Sequence, residues 1–169
     1  MSKGKLGQYL AIFLVLSGGA IGAAHGQGVM IERNLSLALA KDIAVAAIQC
    51  SEKMGYHVSI TVVDRSGETL VLLRGDGSNP HTLENSRRKA YTARTFKMSS
   101  GAFADAYFAN DHVRVAQASL PSVIPLQGGL PINVGADTIG GIGVSGSPGG
   151  EKDEAWAKEA LDRFADQLK

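Results

Sequence analysis

The sequence predicts an α+β domain: a central antiparallel sheet of two β-hairpins, flanked by helices in a three-layer arrangement. Three observations carry this. Two pairs of short runs rich in Val, Ile, Leu and Thr each enclose a polar break containing glycine, which is a hairpin signal. Helical spacing appears before, between and after the two pairs. Hairpins separated by helices, rather than strict strand–helix alternation, imply antiparallel pairing with helices on the faces.

The chain has 169 residues, and its start is read as a signal rather than as fold. Lys3 and Lys5 precede the apolar run Leu10 to Leu16, and small residues follow through Gly26. A basic start, a short apolar core and a small-residue end describe a secretory signal peptide, cut after Gly26, which places the protein in the periplasm or outside the cell. A membrane anchor fits less well, because a spanning helix needs about 20 apolar residues and Ser17-Gly18-Gly19 interrupts this run. Removing residues 1–26 leaves 143 residues: a linker over 27–33 and one domain over 34–169. Lys3 and Lys5 leave with the signal, so 15 basic side chains face 16 acidic ones. That balance gives no reason to expect nucleic acid or an anionic membrane as partner. Cys50 is the one cysteine, which rules out an internal disulfide and reads as a buried, inert thiol.

The first helix is predicted over 34–53, where Leu37, Ala40, Ala44, Ala47 and Ile48 recur at helical spacing. Asn34 or Ser36 caps its start, and Gly55 closes it. Its alanines allow close approach to a sheet. In the first hairpin, Val58, Ile60 and Val62 share one face and His57, Ser59 and Thr61 the other, ahead of Asp64-Arg65-Ser66-Gly67. In the return run, Leu70 and Leu72 oppose Val71 and Leu73, so both faces are apolar, and this strand is expected inside the sheet. The loop from Arg74 to His81 leads into a helix over 81–97, with Asn79 as cap and Pro80 at the first helical position. Arg87, Arg88, Lys89, Arg94 and Lys97 make it the most basic stretch of the predicted mature chain. A short helix over 99–110 follows, then an irregular segment through Pro121 and Pro125. The second hairpin spans 128–146 around Gly135-Ala136-Asp137, and Gly140, Gly141 and Gly143 inside a strand imply close approach of a helix or ligand. Trp156, Ala157, Leu161, Phe164 and Leu168 mark the last helix.

Candidate chemistry is sparse. The glycine-rich stretch 143–150 precedes a helix, but it lacks the Lys-Ser or Lys-Thr of a phosphate loop, and Glu151, Asp153 and Glu154 occupy the first turn. It reads as a strand-to-helix connection. Outside the signal the histidines are His57, His81 and His112, and no pair has metal-site spacing. Haem, by contrast, needs only one or two protein ligands. His81 is best placed to be one, in a loop entering a helix between Arg74 and Arg88.

Taken together, Val62-Val63-Asp64-x-x-Gly67, Arg74-x-Asp76-Gly77, Arg88-Lys89-Ala90-x-Thr92-Ala93, Gly128-Gly129-x-Pro131-Ile132 and Ile139-Gly140-x-Ile142-Gly143-Val144-Ser145-Gly146-x-Pro148 with Asp153 resemble the HbpS/GlcG family. That family includes secreted haem-binding proteins and the C-terminal domain of PduO-type proteins. The resemblance implies a profilin-like, GlcG-like three-layer domain, homo-oligomers and haem binding, with haem degradation and sensor signalling reported for some relatives. The site expected is His81 as iron ligand, with Arg74, Arg88, Lys89, Thr92 and Phe96 around the cofactor. Arg88 or Lys89 would meet the propionates, and Leu83 or Phe96 the macrocycle. Two readings compete with haem binding. One is a non-catalytic module for another small molecule or a membrane sensor; the other is an enzyme acting on a small organic acid through Asp64, Arg74 and Lys89.

Overall fold

The computed structural model describes residues 28–169, so the predicted signal peptide lies outside the described residues. Glu32–Lys169 forms one compact unit. Its elements run α1 (Leu37–Lys53), β1 (Ser59–Val63), β2 (Thr69–Arg74), α2 (His81–Phe96), α3 (Ser100–Phe108), α4 (His112–Gln117), β3 (Gly129–Val134), β4 (Asp137–Ser145) and α5 (Gly150–Arg163), then a 3-10 turn, Ala165–Gln167. Two antiparallel hairpins join edge to edge in the order β2-β1-β4-β3, which makes the sheet and fold class those the sequence predicts.

Side chains alternate across the sheet, and its two faces differ in kind. Val58, Ile60, Val62, Ile132, Ile142 and Val144 pack with Ala40, Ile43, Ala44 and Ala47 of α1 and Trp156, Ala157 and Ala160 of α5. Small alanine side chains let both helices settle onto branched strand residues, and apolar burial at about 25 cal/mol per Å² supplies the main driving force there. The opposite face carries Ser59, Thr61, Gly141, Gly143 and Ser145 and receives α2. Here the contact is backbone to backbone. A Cβ added at Gly143 would stand 2.0 Å from the Ser86 carbonyl oxygen, and one at Gly141 would stand 2.5 Å from that of Ala90. The glycines in β4 therefore do admit a close helix. Thr61 Oγ1 and Ser86 Oγ lie 2.8 Å apart, as do Ser59 Oγ and Thr82 Oγ1.

One strand is placed differently from the sequence reading. β1, not β2, is interior, pairing with β2 on one side and β4 on the other; β2 is an edge. Val71 and Leu73 join the core under α1, while Leu72 lies on the α2 side, beyond that helix's reach, and stays exposed. An apolar residue on each face satisfied the rule for a two-sided strand, but α2 is centred on β1 and β4. Pro131 sits on the other edge, β3, where its missing N–H breaks no ladder. A helical turn, α4, occupies part of the segment read as irregular; the Asp111 side chain caps it by accepting from the Val113 and Arg114 amides. At α1, Ser36 is the cap.

Arg65 in the first hairpin turn ties the two hairpins together. Its Nε donates to the Arg33 carbonyl at 2.6 Å, and its guanidinium pairs with Asp137 in the second turn. Among the described residues no helix is long and apolar enough to cross a membrane.

Candidate functional site

The N-terminal ends of α2 and α5 flank the end of β4, and a cleft of about 440 Å³ opens between them. Asn79, His81, Asn85 and Lys89 line it from α2 and the loop before it, Leu126 from the segment before β3, and Ser145, Gly146, Ser147, Pro148, Gly150 and Asp153 from the end of β4 and the start of α5. On α2, positions 81, 85 and 89 recur every four residues and so share one face. Neither helix has a side-chain cap at its start; main-chain carbonyls serve instead, Asn79 accepting the Thr82 amide at 3.1 Å and Gly149 the Lys152 amide at 3.2 Å, so Asn79 does not cap through its side chain as the sequence reading expects.

The floor is a buried ion pair. Lys89 Nζ donates to Asp153 Oδ2 at 2.8 Å and to the Val144 carbonyl at 2.9 Å, with both charged side chains nearly solvent-free. Asp153 Oδ1 accepts the Ser147 amide at 3.1 Å. Desolvation pulls the Lys89 ammonium below its ordinary pKa, and the Asp153 charge and hydrogen bond oppose that pull. Glycine makes room for the ammonium: a Cβ at Gly128 would come within 2.8 Å of it. The pair fastens α2, β4 and α5 at one point.

The predicted site residues divide between this cleft and elsewhere. His81 is exposed on the cleft, and Lys89 is in its floor. Arg74 stands beside the entry loop, where its guanidinium donates to the Ser78 carbonyl at 2.8 Å and braces the turn that delivers His81. The other assignments need correction. Lys89 is no rim cation awaiting a carboxylate, because Asp153 already neutralises it. Arg88 is drawn off to the Val123 carbonyl, and Thr92 Oγ1 accepts the Ile124 amide at 2.9 Å; both pin the segment before β3 onto α2. Phe96 stacks on Phe103 at 4.7 Å between ring centroids. Fifteen residues of helix separate it from His81, roughly 22 Å at 1.5 Å per residue, so the two do not belong to one site.

A second cavity, about 590 Å³, lies between the first hairpin turn, α2 and residues 120–123. None of the predicted site residues lines it, and its cation, Arg87, is engaged by Glu84 and Ser122. Among the described residues no group of three or more His, Cys, Asp or Glu could hold a bare metal ion. Asn85, Ser145 and Asp153 are site residues that the sequence reading passed over. The acidic first turn of α5 was visible, but it reads as dipole compensation until Lys89 is seen across from it.

The architecture has clear relatives. A family model described as "Haem degrading protein HbpS-like" matches residues 35–162. The crystal structure of HbpS is 36% identical, covers 84% of this chain and 98% of its own, and superposes with a TM-score of 0.77. An uncharacterised 15.0 kDa protein from the dhaT–dhaS intergenic region of Citrobacter freundii is 31% identical over 133 residues, 78% of this chain and 93% of its own. Protein GlcG of Escherichia coli K12 is 32% identical over 111 residues, 66% of this chain and 81% of its own.

Proposed function

The chain belongs to the HbpS-like family, and on that premise we propose that it is an exported haem-binding protein. The observation that carries the reading is the exposed His81 imidazole at a cleft formed by the two helix starts. A single axial imidazole is sufficient for haem iron. His81 would hold the iron, Leu126 and Pro148 would cover one edge of the macrocycle, and Arg74 would keep the entry loop in place. Bound haem would supply a redox-active iron, and the family's description makes oxidative breakdown of the haem the activity to look for second. Export is supported by the signal-peptide pattern over 1–26 and predicts a mature N-terminus at Gln27. A homo-oligomer is the assembly the resemblance implies, and sedimentation of the mature protein reads it directly.

Haemin titration of the purified protein tests the ligand. We expect a saturable Soret shift, weakened in His81→Ala. No saturable spectral change would overturn haem as ligand, whereas an unaltered shift in the variant would remove only His81 from its role. If calorimetry then found another small molecule, the competing reading of a non-haem binding module would take its place.

A further inference from the structure

The cavity between the first hairpin turn and α2, about 590 Å³, is larger than the cleft and distinct from it. Arg87, Tyr91 and Thr95 line it from α2 at a spacing of four residues, about 200° around the helix from His81, Asn85 and Lys89. Facing them is the turn Leu120-Pro121-Ser122-Val123, closed by the Val123 amide on the Leu120 carbonyl at 3.2 Å. Proline in its second position and a φ of +70° at Ser122 make it a type II turn, whose third position suits glycine or asparagine. Serine stands there under backbone strain, and the hydroxyl is what the position gains by it. That hydroxyl accepts from Nη1 and Nη2 of Arg87 at 3.1 and 3.2 Å, while Glu84 accepts from Nε and Nη2 of the same guanidinium. Two acceptances leave the Ser122 O–H free to donate, at the wall of the cavity.

The charges here select against an ion. Arg87 is acted on by two carboxylates, Glu84 through paired hydrogen bonds and Glu68, on the lining, through space. An anion at Ser122 would meet that excess of negative charge, and a cation would bring no acceptor for the Ser122 O–H. A neutral molecule with an acceptor on one edge and an N–H on another meets both Ser122 and Glu68. The apolar part of the wall is Leu120, Pro121, Val123 and the Tyr91 ring, which lies against the hairpin turn: a Cβ added at Gly67 would come within 2.9 Å of its Cε2. Such walls suit a flat ring. We propose that this cavity binds a neutral, planar cyclic amide, its carbonyl on the Ser122 hydroxyl and its N–H toward Glu68. The site does not rest on haem binding and stands whether or not haem binds at the cleft.

Uracil and lumiflavin present this pattern without charge, the first on a single ring and the second on a fused system. Titration of the purified protein with each, followed by amide NMR, tests the site. Saturable shifts are expected at Gly67, Glu68, Thr69, Ser122 and Val123, with the amides of 145–150 unmoved. Ser122→Gly removes the hydroxyl at a position whose backbone suits glycine, so the fold is kept and binding should weaken about threefold to tenfold, the share of one hydrogen bond. Benzoate, flat but anionic, should leave those amides in place. Binding of one probe without the other supports the site and sets the size of ring it takes. If neither probe moves those amides, if Ser122→Gly binds them as the parent does, or if benzoate binds as tightly as they do, the proposal is overturned.

Discussion

On one face of the sheet Val58, Ile60, Val62, Ile142 and Val144 meet the alanines of α1 and the small and aromatic residues of α5. On the other, Ser59, Thr61, Gly141 and Gly143 meet the backbone of α2 through hydroxyl pairs and bare glycine contacts. The first face is held by burial, which has no direction and tolerates small changes of shape. The second is held by groups that work only at fixed positions. The cleft lies at the end of that second face. Position, more than apolar area, is what a binding site needs, and α2 is held against the strands beneath it by the bare glycine contacts and the two hydroxyl pairs.

The comparison is best broken at Lys89. Replacing it with Met leaves Asp153 buried without its partner, and the expected loss is about 3–5 kcal/mol by denaturant unfolding. A loss under about 1 kcal/mol would mean that the pair does not fasten this face. Gly143→Ala comes next. The added methyl meets the Ser86 carbonyl, a backbone atom with nowhere to move, and about 3 kcal/mol is expected, the upper end for overpacking. On the apolar face Ile60→Val, a change of similar size in the opposite direction, should cost only about 0.5–1.5 kcal/mol. Equal losses for these two would erase the distinction between the faces.

The smallest effect lies on the outer side of α2. The Arg87 hydrogen bond holds the Glu84 carboxyl below its ordinary pKa. A carboxyl depressed in the folded state contributes stability that is complete above its unfolded pKa and is lost as pH falls through the folded one. Glu84→Gln should therefore flatten the acid limb of the stability profile. At neutral pH the loss should be about 0.3–0.5 kcal/mol, as for other exposed helix pairs, and it should shrink in high salt.

The apolar face was legible in the sequence because periodicity encodes it directly: 2 in the strands, 3.6 in α1 and α5. The glycines of β4 also announced a close neighbour correctly. What the sequence concealed depends on contacts between distant segments. Leu70 to Leu73 looked two-sided, yet which strand is central depends on whether β1 or β2 pairs with β4, and no local pattern records that. Lys89 is one of four Lys and Arg residues on α2 and looks like the rest; only Asp153, 64 positions later, makes it a buried pair. Arg88 and Thr92 looked like ligand groups because they neighbour Lys89 in sequence. One step along a helix turns a side chain by about 100° and three steps by about 300°, so Arg88 and Thr92 leave the Lys89 direction and meet Val123 and Ile124 instead. His81 remains on the cleft because it begins the helix whose face the cleft shares.

Paramagnetic mapping of bound haemin reads the central claim most directly. With ferric haemin added to the labelled protein, amide signals of residues 79–85 and 145–150 should broaden first. Those of α1 and of the outer side of α5 should stay sharp. Broadening centred on α1, on the β2 edge or around Phe96, with 79–85 and 145–150 unaffected, would contradict it.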